Sequence, residues 1–547
     1  MTFRERQHEV AVRIALAAYE QPLLESGLWF HHDIRDNFYY ASHLFATSTN
    51  PGLSATFDTD EGKQIAETVL LEVIRLQDQD TRSDTYGHFP LKLEPQPAPI
   101  KRSALPIELM GILMAYLFRR YSSAFSRPLR LAFESALLHA YRSGYYRKPL
   151  NQYNHHEAKY TAAKLIFGEM FHDRELLRDG QECLERMIAS IQTKGMSEYG
   201  SLPWFWHWVQ AFTCAWSMTE NAALKQSLAA MLDRLWQERS QFYLQGTWVG
   251  AHSRALKHDI PRDSNVLFDY VQYGDFALPR ELPRTEYAGL LFYEASEPVR
   301  RAALERSQAV EVTKLITKQA TAARPEAVEL HSYAYITESF AAGGVWERYA
   351  EFDNEQHRWD FTLPLGLTDG VNQSFFMHPG SGYAEDDPRH QSDCAEVLLH
   401  KNTVLALYPI PPESHETIVG ILPKGEWLQE PNALYGQAGN VYWAIYVMRS
   451  YHVEEKSDRM LAISVGSPNG VVMEAVSVRE AARKGMRSLN EFAGSARARA
   501  PQFSETVPLS VTYSNLYGEK LELVVHPDRR AEAFVGETLV SFEGYTV

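Results

Sequence analysis

Three stretches of the chain combine residue types that can move a proton or hold an anion. The first runs Asn151-Gln152-Tyr153-Asn154-His155-His156-Glu157. Asn154 has the type and place of a helix N-cap. His155 or His156 then stands at the helix N-terminus, where free N–H groups and the macrodipole favour an anion. Residues 141–164 hold five Lys/Arg and one Glu, a local excess of four positive charges in a chain of net charge −15. The second stretch is 195–209, where Glu198-Tyr199-Gly200-Ser201 leads into Pro203 and an aromatic helix with Trp204, Trp206, His207 and Trp208. Three indoles do not all fit one buried helix face, so Trp204 or Trp206 is expected at a groove, where an indole stacks on a sugar ring. The third is 246–263, a glycine-bounded loop with His252, Arg254, Lys257, His258 and Arg262. Arg254 offers a planar fork that matches a carboxylate.

These types together support β-elimination on a uronic acid. The hard step removes the proton on C5, beside a carboxylate. Asn154, His155 or Arg254 can offset the charge that builds on that carboxylate. A Tyr or His (Tyr199, His207 or His252) then serves as base and acid. Trp204, Trp206, Lys257, Arg35 and His88 are the expected substrate-binding groups. Glycoside hydrolysis needs two carboxyl groups flanking the bond, and Glu157, Glu198, Asp33, Asp36 and Asp263 keep that reading open. A non-catalytic carbohydrate-binding protein is the third reading. No phosphate-cradling Gly loop, GxSxG elbow or HExxH motif is present.

The elements that must position these residues follow from composition and periodicity. With 547 residues, 45% hydrophobic and 12% aromatic, the chain is expected to fold into two or more packed domains. Its acidity argues against a nucleic-acid partner. Three cysteines cannot form a disulfide framework and fit a reducing compartment. No leader and no long apolar run are visible, so a cytoplasmic protein without membrane spans is expected. A homo-oligomer stays open.

Helical periodicity marks 61–77, 105–121, 128–143, 155–171, 174–192, 204–218, 222–240 and 296–320. Asp173 and Thr219 stand as caps for two of these helices, and 28–40 reads as an aromatic loop. From about 328, alternating β-branched and aromatic runs take over, including 331–340, 345–352, 403–408, 441–448, 509–514 and 539–546. The expected fold is multidomain, α then β. An N-terminal (α/α) incomplete toroid of helical hairpins spans 1–325, and a C-terminal antiparallel β-sandwich spans 326–547. The junction is placed at Ala323-Arg324-Pro325.

The order YNHHE (153–157), SEYGSLPWFWHW (197–208), GAHSRALKHD (250–259), then a β-region, resembles polysaccharide lyases built from an (α/α) toroid and an antiparallel β-sandwich. The heparinase II/III-like and chondroitin/alginate lyase groups are the nearest. The resemblance implies cleavage of an acidic oligo- or polysaccharide without a cofactor. It implies Asn154 as carboxylate neutraliser and Tyr199 as acid/base, with His252 and Arg254 completing the site. The aromatic helix departs from the pattern in opening WFWHW where a Tyr is expected soon after Pro203, which leaves His207 as a substitute base. The resemblance also implies a structural zinc in the β-region. His378, Asp393 and Cys394 are its candidate ligands there, with Asp393-Cys394 as the adjacent pair.

Overall fold

The computed structural model describes residues 1–94, 100–319, 326–352 and 355–547. The helical part consists of α1 (Phe3–Glu20), α2 (Ile34–Thr49), α3 (Thr59–Arg75), α4 (Ala104–Tyr121), α5 (Arg127–Ser143), α6 (His155–Met170), α7 (Arg174–Lys194), α8 (Leu202–Met218), α9 (Ala222–Gln241), α10 (Leu267–Gln272) and α11 (Glu297–Leu304).

Burial patterns sort these helices into two rings. In α4 every residue from Pro106 to Ala115 is buried, and in α8 every residue from Phe205 to Ala215. A helix buried all round belongs inside. By contrast α7 buries only a stripe, Leu176, Gly180, Cys183, Leu184, Met187 and Ile191, and α3 and α5 do likewise. These striped helices form the outer layer. Antiparallel hairpins therefore alternate inner and outer helices, as in an α-toroid. The first helix is tied to the far end of the helical part. Arg6 donates to the carbonyls of Val271 and Gln272 (3.0 and 3.1 Å), and Gln7 to that of Gly289 (3.1 Å).

The β part is three stacked antiparallel sheets. An eight-stranded sheet runs in the order 451–455, 460–465, 417–422, 373–377, 359–362, 341–345, 328–336, 310–318. A six-stranded sheet runs 396–400, 403–408, 469–477, 441–447, 433–438, 426–430, and a five-stranded sheet covers 502–539. One apolar core, with Trp359, Phe361, Phe375, Leu434 and Trp443, fills the space between the first two sheets. A second, with Leu405, Tyr446, Phe492, Val511 and Leu523, lies between the six- and five-stranded sheets. The helical core continues into Leu330, Ala334 and Val345 of the eight-stranded sheet, so the two parts share one hydrophobic interior.

Several local expectations are corrected. The loop 28–40 becomes helix at Ile34, because Asp33 caps α2 by accepting from the Arg35 N–H (3.0 Å). Asn221, not Thr219, caps α9, accepting from Ala223 and Leu224. The run 296–320 is helical only to Leu304. Its β-branched remainder pairs along Val310–Lys318 with Val328–Ile336. Of 539–546, only Leu539 is strand, and 346–352 carries none among its described residues. Strand residues thus begin ahead of the 325/326 division, and Ala323-Arg324-Pro325 lies outside the described residues.

Candidate active site

The site grows from the N-terminus of α6. Asn154 accepts from the N–H groups of His156 and Glu157 (3.1 and 3.2 Å), as an N-cap does. Its Nδ2 donates to Gln152 (3.0 Å). Asn151 and Tyr153 hold positive φ of 50° and 48°, a region that costs non-glycine residues energy. Glu157 compensates by accepting from the backbone of both Gln152 and Tyr153 (2.8 and 2.9 Å). The turn presents the two histidines of α6 side by side, ring centroids 4.1 Å apart.

Each histidine is anchored through Nδ1 to a glutamate from another element. His155 Nδ1 lies 2.6 Å from Glu198 and His156 Nδ1 lies 2.7 Å from Glu108. A carboxylate only accepts, so Nδ1 carries the proton in both rings and Nε2 faces away. Neither Nε2 has a hydrogen-bond partner among the described residues. Burial pulls His155 down to about 4, against the opposing pull of Glu198, so its imidazole is neutral at neutral pH. Burial alone would raise Glu198. The contacts from His155 and the Trp208 indole N–H (2.8 Å) outweigh it and hold Glu198 ionised. Glu108 also receives Lys159 (2.7 Å). Burial opposes its ionisation, but His156 and Lys159 bring it to about 2.

Trp204, half-buried at the start of α8, joins this pair to the rest of the site. Its ring stacks on His155 (4.5 Å, 11°), and the guanidinium groups of Arg254 and Arg284 lie 5.3 and 5.7 Å from its centre. Arg254 is set by both halves of the molecule. Ser201 Oγ accepts from its N–H (2.9 Å) and donates to its carbonyl (2.9 Å), and the N–H of Ser253 donates to the Tyr199 carbonyl (2.8 Å). Gly200 makes this approach possible: its φ is +69°, and a Cβ there would meet the Ala251 carbonyl at 2.4 Å. From the β side, Glu355 accepts from Arg254 Nε (2.8 Å). Neither Nη group of Arg254 has a hydrogen-bond partner among the described residues, and the guanidinium lies 4.5 Å from the centre of the Phe352 ring. A cavity of about 210 Å³ opens beside Trp204 at the junction of the two parts. Its walls include Asn154, Lys194, Glu198, Arg254, Lys318 and Tyr349.

The structure thus brings Asn154, His155, Trp204 and Arg254 together. Other expected residues go elsewhere. Tyr199 is fully buried, its hydroxyl accepts from Gln356 (3.0 Å), and burial pushes it well above the usual phenol range. It is no base. His207 is enclosed on α8 beside Glu286 (3.1 Å), with Nδ1 sealed from solvent, and burial pulls it down to about 3. His252 is fully buried, donates Nδ1–H to the Gly200 carbonyl (2.6 Å), and supports the loop that carries Arg254. Trp206 is core: it packs on Phe268 and Trp236 and donates to the Asn265 carbonyl (2.6 Å).

The remaining binding candidates are separately engaged. Arg35 gives Nε and Nη2 to Asp33 (3.0 and 2.6 Å). The exposed Lys257 pairs with Asp386 (3.0 Å). The charged neighbours of His88 are Asp78 and Lys148.

The zinc expectation does not fit the donors. His378 Nε2 lies 2.6 Å from the His415 carbonyl and Nδ1 2.8 Å from Ser392 Oγ, so both ring nitrogens are used. Asp393 is exposed and faces Arg529, while Cys394 is buried against Ser392. Among the described residues no three His, Cys, Asp or Glu side chains form a metal shell.

Sequence reasoning missed Glu108 and the anchoring roles of Glu198 and Glu355. Glu108 left a signal: it is the one charged residue between Ala104 and Phe118 in an otherwise apolar helix, and a lone charge in a buried helix demands partners. Glu355 left none, since its pairing with Arg254 joins positions far apart in the chain.

Because the Tyr199 hydroxyl accepts a hydrogen bond from Gln356, Tyr199→Phe is expected to cost about 1 kcal/mol of stability, which thermal unfolding checks.

No protein-family model matches the chain, and no curated protein matches it. Solved structures do. The chondroitin AC lyase of Streptomyces coelicolor A3 in complex with chondroitin sulphate is 10% identical over 97% of this chain and 90% of that one, with a TM-score of 0.52. A chondroitinase AC lyase described with its oligosaccharide complexes is 8% identical over 97% and 93%, with a TM-score of 0.45. The likeness to the first is one of fold: a helical toroid followed by antiparallel sheets. No helix among the described residues is long and apolar enough to cross a membrane.

Proposed function

We propose that this protein is a polysaccharide or oligosaccharide lyase that cleaves a uronic-acid glycan by β-elimination. The observation that carries the reading is the arrangement around Trp204. A neutral, buried imidazole anchored through Nδ1 lies against one indole, and an arginine whose Nη groups make no hydrogen bond among the described residues lies within 5.3 Å of the same ring. The fold likeness to a chondroitin AC lyase supports it, since that protein was solved with an anionic glycan.

The chemistry follows from these groups. The indole face carries the sugar ring. The Nη groups of Arg254, with Asn154 Nδ2, bind the uronate carboxylate and offset the charge that develops on it as the C5 proton leaves. His155 Nε2 takes that proton. Glu198 holds the ring in the required tautomer and stabilises the imidazolium that forms, as the carboxylate of a catalytic triad does. Tyr199 has no part in the step.

A panel of uronic-acid glycans tests the proposal through the ultraviolet absorbance of the conjugated C4=C5 bond. A steady rise on at least one glycan is expected. New reducing ends without that absorbance would instead make the protein a hydrolase.

The acid side of the pH profile is a second check. The base works only when neutral, so kcat/KM is expected to fall as the pH drops through about 4, the value to which burial brings His155. An unperturbed histidine would place that fall at about 6.5. Rates on a short oligosaccharide between these values separate the two.

A further inference from the structure

Elimination handles two protons, because the glycosidic oxygen O4, which departs from C4 of the uronate, must gain one as C5 loses one. His155 accounts for the first, and Tyr199 is sealed in the interior. We propose that His156 is the general acid that protonates the leaving O4, held for that task by Glu108. This rests on the lyase reading and extends it to the second proton.

Four observations carry the assignment. The rings of His155 and His156 are 4.1 Å apart, close enough to serve neighbouring atoms of one substrate. His156 is the more open of the two, with its side chain 32% exposed against 6% for His155. Its Nδ1 is fixed 2.7 Å from Glu108, which leaves Nε2 as the group that meets substrate. Finally, with the ring centres 4.1 Å apart the pair repels a second positive charge, so one ring gives a proton while the other takes one. The titratable groups facing His156 are Glu108 from α4 and His155 and Lys159 from α6.

The step balances. His155 Nε2 takes the C5 proton, and the C5–H electron pair becomes the second bond between C4 and C5. The C4–O4 bond breaks with its pair on oxygen, which takes the Nε2 proton of His156. His155 ends protonated and His156 neutral, and transfer of one proton between the rings or through water restores the start.

A leaving group that needs no proton separates this role from a structural one. His156→Asn keeps a donor for Glu108 in place of Nδ1 and removes Nε2. It is expected to slow elimination of the glycan by ~10²- to 10⁴-fold, the usual contribution of acid–base catalysis. Elimination of fluoride from a uronide fluorinated at C4 is expected to stay within a few-fold of wild type, which also shows that the variant is folded. His155→Asn is expected to lose both. Equal slowing of both substrates by His156→Asn, or no slowing of the glycan, overturns the role of His156. Absence of any elimination by the wild-type protein from either compound overturns the lyase reading along with it.

Discussion

Replacing His155 with asparagine is expected to lower kcat/KM for the glycan by ~10²- to 10⁴-fold, the range that loss of a positioned base gives. The size follows from the geometry. In the proposed mechanism His155 supplies the base atom through Nε2, while Glu198 lies 2.6 Å from its Nδ1 and Trp204 stacks on its ring at 4.5 Å. Asparagine keeps a donor for the buried Glu198, which also retains the His155 backbone N–H (2.7 Å) and the Trp208 indole (2.8 Å). The carboxylate is therefore not orphaned, and the fold should survive. The loss should fall on kcat, because Nε2 acts on the proton in flight. Initial rates with unfolding curves on the same preparation check it. A variant that is folded and still turns over near wild type would remove His155 from the chemistry.

Arg254→Ala is the second large effect, with an expected loss of ~10²- to 10³-fold in kcat, comparable to removing a donor from an oxyanion site. In the proposed elimination the uronate carboxylate is charged in the ground state and gains charge as C5 is deprotonated, so the fork would work hardest at the transition state. Both kcat and kcat/KM should fall together. Arg254→Lys is not expected to restore the rate, since an ammonium cannot match two carboxylate oxygens in a plane. The fold tolerates the change, because Glu355 keeps Arg389 at 3.0 Å. A change confined to KM would reduce Arg254 to ground-state binding.

Much of this architecture is legible in the residues, and the failures have physical causes. Asn154 and Asp173 are caps where their types and positions placed them, and 509–514 and 403–408 are strands with the expected bounds. The segment 310–318 reads as a helical continuation, yet its pairing with 328–336 decides it, and pairing is a non-local fact. The aromatic run of α8 shows the same limit. Its composition announces an important helix, but only its place in the inner ring determines that Trp204 meets the cavity while Trp206 joins the core. Tyr199 and His252 have types suited to catalysis, and the structure buries both, Tyr199 against Gln356 and His252 against the Gly200 carbonyl. The pairs that define the site, His155 with Glu198 and Arg254 with Glu355, join residues 43 and 101 positions apart. No local pattern encodes such distances.

The most direct test of the central claim is the fate of water in the cleavage. Degradation of a uronic-acid glycan in heavy-oxygen water, followed by product mass spectrometry, separates the two chemistries without regard to sugar identity. Elimination adds no water across the bond. The products are expected to sum to the mass of the substrate, to contain no heavy oxygen from the cleavage step, and to be missing when His155→Asn replaces the wild type. Products that sum to the substrate plus one water, with heavy oxygen at the new reducing end, would contradict it.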